Sequence, residues 1–132
     1  DIEAACSRYK NAPGGLVEIM VGRALMADPA LFRKARGEKP ATLSEILAFH
    51  EALFEAYTEL FESRKNAMMR MKEYWFFQLC LFGEDGKEAA IKKAASKIFR
   101  TKQVPDFEAA VREAAESFVL RRAARYGWRK PL

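Results

Sequence analysis

One stretch of this sequence reads as a β-strand, and a single strand cannot make a sheet. Residues 16–21 (LVEIMV) are an apolar run set between glycines. Its length and its Val and Ile content favour a buried strand over a helix. A lone strand leaves its backbone N–H and C=O groups without partners. Its sheet neighbours are therefore expected in sequence beyond this chain or in a partner. The rest of the sequence carries helical periodicity. The first 37 residues read as the end of an α/β architecture, and the chain from about residue 42 onward reads as a helical bundle.

The helical signals are specific in places. Residues 1–11 read as a short helix ended by Pro13, Gly14 and Gly15. Gly22 and Arg23 follow the strand, and Asp28 with Pro29 reads as N-cap and first residue of another helix. Thr42 and Glu45 have the spacing of a capping box. They open a helix that places Leu43, Ile46, Leu47, His50, Leu53, Phe54, Tyr57, Leu60 and Phe61 on one face, with Glu51, Glu55, Glu59 and Glu62 on the other. The next helix, from about Arg64 to Phe82, is apolar nearly all round and is expected to be central and buried, with Met68, Met71, Trp75, Leu79 and Phe82 as one stripe. Gly83 to Gly86 reads as a loop, and an Ala- and Lys-rich helix follows from Lys87 to about Arg100. Pro105 and Asp106 open a last helix, with Phe107, Val111, Ala114 and Phe118 inward, which runs on into the basic stretch 121–130.

Charge divides the chain. Residues 1–62 hold 7 Lys and Arg against 10 Asp and Glu, whereas residues 63–132 hold 16 against 8. A basic half on an acidic-leaning chain points to a polyanionic partner, or to a solvated Lys-rich surface. No apolar run approaches the roughly 20 residues that span a bilayer. One His and two Cys, Cys6 and Cys80, exclude the usual zinc modules and a disulfide framework. No metal is expected. The sequence has no Walker loop, no dinucleotide-binding glycine motif and no hydrolase triad.

Few residues suggest chemistry. Gly22 and Arg23 sit where a strand gives way to a helix, a place whose free N–H groups favour an anion. Gly22 serves equally well as a tight turn. His50 lies on the apolar face of its helix without a Cys, His or Asp constellation, so it reads as a hydrogen-bonded core residue. Met68, Met69, Met71, Trp75, Phe76 and Phe77 read as core rather than as a base-stacking platform, and Cys80 as packing. Among the cations, Lys65 and Lys72 share a helix face, Arg70 is placed to pair with Glu73, and Lys93, Lys97 and Arg100 fall on one stripe. Such stripes can track phosphates or simply face water.

Three stretches together resemble the flavin-dependent tRNA-dihydrouridine synthases. Glu18, Ile19, Met20, Val21, Gly22, Arg23, Ala24 and Leu25, followed by Asp28, Pro29, Ala30, Leu31 and Phe32, resemble the family's last barrel strand and its continuation. Residues 43–60 resemble the first helix of its C-terminal domain, and residues 64–75, ending in MKEYW, resemble its next helix. The likeness covers roughly residues 1–120. It implies a mainly α chain made of two parts. Residues 1–37 would be the last strand and flanking helices of a truncated FMN-binding (β/α)8 barrel, and residues 38–132 a helical tRNA-binding domain. In that family NADPH reduces FMN, the flavin passes a hydride to a uracil ring in tRNA, and a loop cysteine supplies the proton. Neither Cys6 nor Cys80 matches that cysteine, so no catalytic residue is expected here.

The resemblance makes Gly22 and Arg23 contacts of the FMN phosphate and puts Asp1 and Ile2 at the tail of the preceding phosphate loop. Arg70 falls near the RNA-facing cleft, Lys72 falls where many members have His, and Trp75 matches a structural aromatic. Lys65, Lys93, Lys97 and Arg100 match no family motif, and their expected role toward tRNA rests on charge. The chain is thus expected to be part of a longer cytoplasmic oxidoreductase, inactive alone, that holds tRNA. Residues 1–37 are expected to be poorly ordered, rearranged, or engaged in self-association. The rival reading is a non-enzymatic basic helical module that binds RNA or protein.

Overall fold

A computed structural model describes residues 22–83, 87–122 and 124. Among the described residues the chain is mainly helical. Two short helices, α1 (Arg23–Ala27) and α2 (Leu31–Ala35), precede four longer ones: α3 (Leu43–Phe61), α4 (Arg64–Gln78), α5 (Glu88–Arg100) and α6 (Val104–Ser117). The expected strand over 16–21, the helix over 1–11 and most of the stretch 121–130 lie outside the described residues.

The capping box forms as its spacing predicts. The Glu45 N–H donates to Thr42 Oγ1 at 3.3 Å, and the Thr42 N–H donates to the Glu45 carboxylate at 2.8 Å. Arg33 of α2 grips the same carboxylate with two bonds, of 2.8 and 3.0 Å. The Arg33 guanidinium, aided by the Thr42 N–H, holds the Glu45 carboxyl at about 2. At the other end of α3 the chain reverses in two residues. Glu62 takes a left-handed φ of 48°, and Ser63 caps α4 by accepting from the Asn66 N–H at 3.3 Å. So short a connection makes α3 and α4 antiparallel neighbours.

The core is aromatic and centred on α4. Met68, Met71 and Trp75 are buried, as are Ile46 and Phe54 from α3 and Phe107 and Val111 from α6. His50 lies among them with its ring 5.7 Å from Trp75 and 6.1 Å from Phe107. The Trp75 indole N–H donates to His50 Nδ1 at 3.0 Å. An accepting Nδ1 requires the neutral ring. Burial accordingly holds the His50 pKa down to about 4. Met69 departs from the expected core set, since it is exposed.

Both long apolar helices end earlier than their patterns suggest. α4 stops at Gln78 and tightens into a 3₁₀ turn, Leu79–Leu81, while α6 stops at Ser117. The two outgoing segments then pair. Phe82 and Leu120 form an isolated antiparallel bridge, flanked by Gly83 N–H to Val119 O at 2.8 Å and Arg121 N–H to Leu81 O at 2.7 Å. Phe82 in one segment and Phe118 and Val119 in the other suit extended backbone. Each segment satisfies backbone groups that the other loses on leaving its helix. The basic stretch therefore starts on extended chain at Arg121.

Residues 22–37 are docked on the bundle rather than loose. Ala27 and Asp28 are buried. The Gln78 amide, itself fully buried, donates to Ala27 O at 3.2 Å, and the Tyr74 hydroxyl donates to Gln78 Oε1. Lys34 pairs with the Asp28 carboxylate and donates to Arg122 O at 2.9 Å. Residues 22–37 thus pack on the bundle, and residues 1–21 of the expected barrel edge lie outside the described residues. Asp28 also differs from its expected role as helix N-cap. Its Oδ1 accepts from the Ala30 N–H at 3.1 Å, turning the chain between α1 and α2, and α2 starts at Leu31.

Two predictions follow from this packing. The unfolded chain takes up a proton at His50 near its ordinary value of 6.5, whereas the folded chain resists until about 4. His50 therefore leaves stability intact above pH 6.5 and removes about 1.4 kcal/mol per pH unit below it, down to about 4. Urea unfolding at pH 7 and pH 5 should show the wild type losing about 2 kcal/mol more than His50→Gln. Equal losses would mean that His50 is not the titrating group. Gly83 has φ +124°, and a Cβ there would collide with Ile91 Cδ1. Gly83→Ala should cost about 1–3 kcal/mol by thermal unfolding, whereas Gly22→Ala, which would meet nothing within 4 Å, should leave the bundle's stability nearly unchanged.

Candidate nucleic-acid interface

The bundle's cations fall into three groups by what already holds them. Lys65 on α4 and Lys93 and Arg100 on α5 are exposed and form no ion pair with any described residue. Arg70 and Lys97 are exposed but paired, Arg70 with Glu73 at 2.9 Å one turn along α4 and Lys97 with Glu113 across to α6. Both pairs lie more than half in water, and such pairs contribute about 0–1 kcal/mol. A phosphate can therefore take over either cation at small cost. Lys72 is different. It is only 9% exposed, and its ammonium donates to Phe99 O at 3.3 Å and to Thr101 O.

Local sequence explains the placement. On α5 the apolar residues Ile91, Ala94, Ala95 and Ile98 turn inward, with Ala95 and Ile98 buried. Lys93, Lys97 and Arg100, at i, i+4 and i+7, necessarily fall away from that stripe. Residues 87–102 hold six cations against the single carboxylate of Glu88. Lys92 and Lys102 belong to this surface, both exposed, although neither stands out in the periodicity. The signal that finds them is local charge density rather than helical register.

The cations on α4 and α5 are brought together by the Lys72 bonds. These tie the C-terminal end of α5 to the flank of α4, and the Phe76 and Phe99 rings meet there at 6.3 Å. Lys65 lies two turns before Lys72, about 10 Å along the helix. Arg100 and Lys102 flank the carbonyls that Lys72 holds, and exposed Met69 lies between Lys65 and Lys72 on the same face of α4. Lys93 lies two turns up α5 from Arg100. Arg64, by contrast, is committed to the bundle, since it pairs with Glu55 and with Glu108 at 2.6 Å and lies 4.4 Å over the Phe54 ring.

Gly22 and Arg23 stand elsewhere, at the start of α1. Both are exposed, and no described residue beyond its chain neighbours lies within 4 Å of where a Gly22 Cβ would stand. Among the described residues, no group of His, Cys, Asp and Glu is placed to hold a metal, and no helix is long and apolar enough to cross a membrane. His50 is occupied by Trp75, and Cys80 is half-buried on the turn after α4. Comparisons with family models, with curated proteins and with solved structures found no match.

Proposed function

We propose that this chain is the C-terminal part of a flavin-dependent tRNA-dihydrouridine synthase, and that its bundle holds tRNA in the cytoplasm. The observation that carries the reading is the set of exposed cations Lys65 on α4 and Lys93 and Arg100 on α5, which form no ion pair with any described residue. Lysines and arginines left without carboxylate partners are suited to counterion release on a phosphate backbone, which gives affinity without sequence readout. The resemblance of residues 18–32, 43–60 and 64–75 to that family supplies the enzyme context. In it Gly22 and Arg23 border the FMN phosphate. The flavin, reduced by NADPH, supplies the hydride for the uracil ring. This chain's part is to hold the RNA while a uridine leaves its stack.

The roles differ by residue. Lys65, Lys93 and Arg100 meet phosphates directly. Arg70 and Lys97 exchange a weak carboxylate pair for phosphate. The RNA is read by charge and shape, since among the described residues Trp75 and Phe82 are buried in the core and are not offered to bases.

A parent protein that contains this sequence is expected to purify yellow with bound flavin and to reduce uridine in tRNA. In that parent, the combined substitution Lys65→Gln, Lys93→Gln and Arg100→Gln should weaken tRNA binding about 10- to 100-fold near 100 mM salt. Its flavin absorbance should not change. A colourless parent without activity, or a triple variant that binds tRNA as the wild type does, would overturn the proposal.

A further inference from the structure

The end of α5 is an unpromising place for an anion. A helix C-terminus carries about half a negative charge on its unbonded carbonyls. Yet Arg100 and Lys102 flank this end and are exposed. Two of these carbonyls and the one just past the helix are bonded. Ile98 O accepts from the Thr101 hydroxyl at 2.7 Å and from the Thr101 N–H at 3.4 Å. Phe99 O and Thr101 O accept from the Lys72 ammonium, which reaches them from α4. No carboxylate shares that ammonium among the described residues, so its charge is spent on the helix end.

We infer that Lys72 is a positioning residue for RNA binding: it caps the C-terminal end of α5 from α4 and so allows Arg100 and Lys102 to present their charge to phosphate. The inference rests on the RNA-binding reading and goes beyond it, because it takes Lys72 off the phosphate and assigns it a task inside the protein. A lysine suits the task. Its long apolar stem can be buried along α4 while its three N–H groups serve more than one carbonyl. Without it, the negative end of α5 would face the same phosphate that Arg100 and Lys102 attract.

A double-mutant cycle on the 132-residue chain tests this, with unfractionated tRNA as the probe. Lys72→Met should weaken binding about tenfold at low salt in the wild-type background. In the background of Arg100→Gln with Lys102→Gln it should have almost no further effect, because the residues it acts through are gone. Hydrogen exchange should show faster amide exchange at the end of α5 in Lys72→Met, a change that loss of a phosphate contact alone would not produce. Where Lys72→Met does not fold, Lys72→Gln keeps a donor to the carbonyls while removing the charge, and it should show a smaller effect with the same non-additivity. A full tenfold loss in both backgrounds would make Lys72 a direct phosphate contact and overturn the inference while leaving RNA binding intact. A wild-type chain whose tRNA binding is absent or indifferent to salt would overturn the RNA-binding reading itself, and the inference with it.

Discussion

The hydrogen bond from the Trp75 indole to His50 organises the rest of the bundle. It joins α3 to α4 at the point where Phe54, Phe82 and Phe107 converge, and it satisfies a polar atom that burial would otherwise penalise. A Trp and a His share the centre only because each supplies what the other lacks, a donor facing an acceptor. The bond fixes the rotation of α4 about its own axis. Met68 and Met71 then face the core, Tyr74 and Gln78 reach α1, and Lys72 points to the end of α5. The polar faces of the bundle follow from that single rotation.

Gln78 and Lys72 illustrate how the same helix ties two different pieces to the bundle. Gln78 holds residues 22–37 by the Ala27 carbonyl, reinforced by the Lys34 bond to Arg122 O and the Arg33–Glu45 pair. Lys72 holds the far end of α5. The N-terminal segment is therefore part of the folded body from Gly22 onward, whatever precedes it. The cationic surface is likewise a product of packing, since α4 and α5 contribute to it from distant parts of the sequence.

Much of the fold was legible in the sequence because the signals were local. The Thr42–Glu45 box sets the start of α3, the 3.6-residue stripe from Ile46 to Phe54 sets its buried face, and the lone His among apolar residues reads correctly as core. Helix ends were less legible. Phe82 and Phe118 continue an apolar pattern that a helix could bury, but the chain there pairs with itself across the fold, and nothing local announces that partner. Asp28 shows the same limit on a smaller scale, since Asp before Pro suits both an N-cap and a turn. Among the cations, sequence placed Lys93, Lys97 and Arg100 on one exposed stripe and paired Arg70 with Glu73. It could not separate Lys65 from Lys72, which share a helix face, because only the arrival of α5 buries one and leaves the other in water.

The central claim is that a particular set of solvated cations on α4 and α5 meets RNA phosphates. Lysine acylation with and without tRNA, read residue by residue by mass spectrometry, tests it most directly. tRNA should shield Lys65, Lys93 and Lys102, while Lys39, which precedes α3 and lies on neither α4 nor α5, keeps its reactivity and Lys72 stays unreactive in both states. Shielding of Lys39 without shielding of Lys65, Lys93 and Lys102, or no shielding at any of them, would contradict the account.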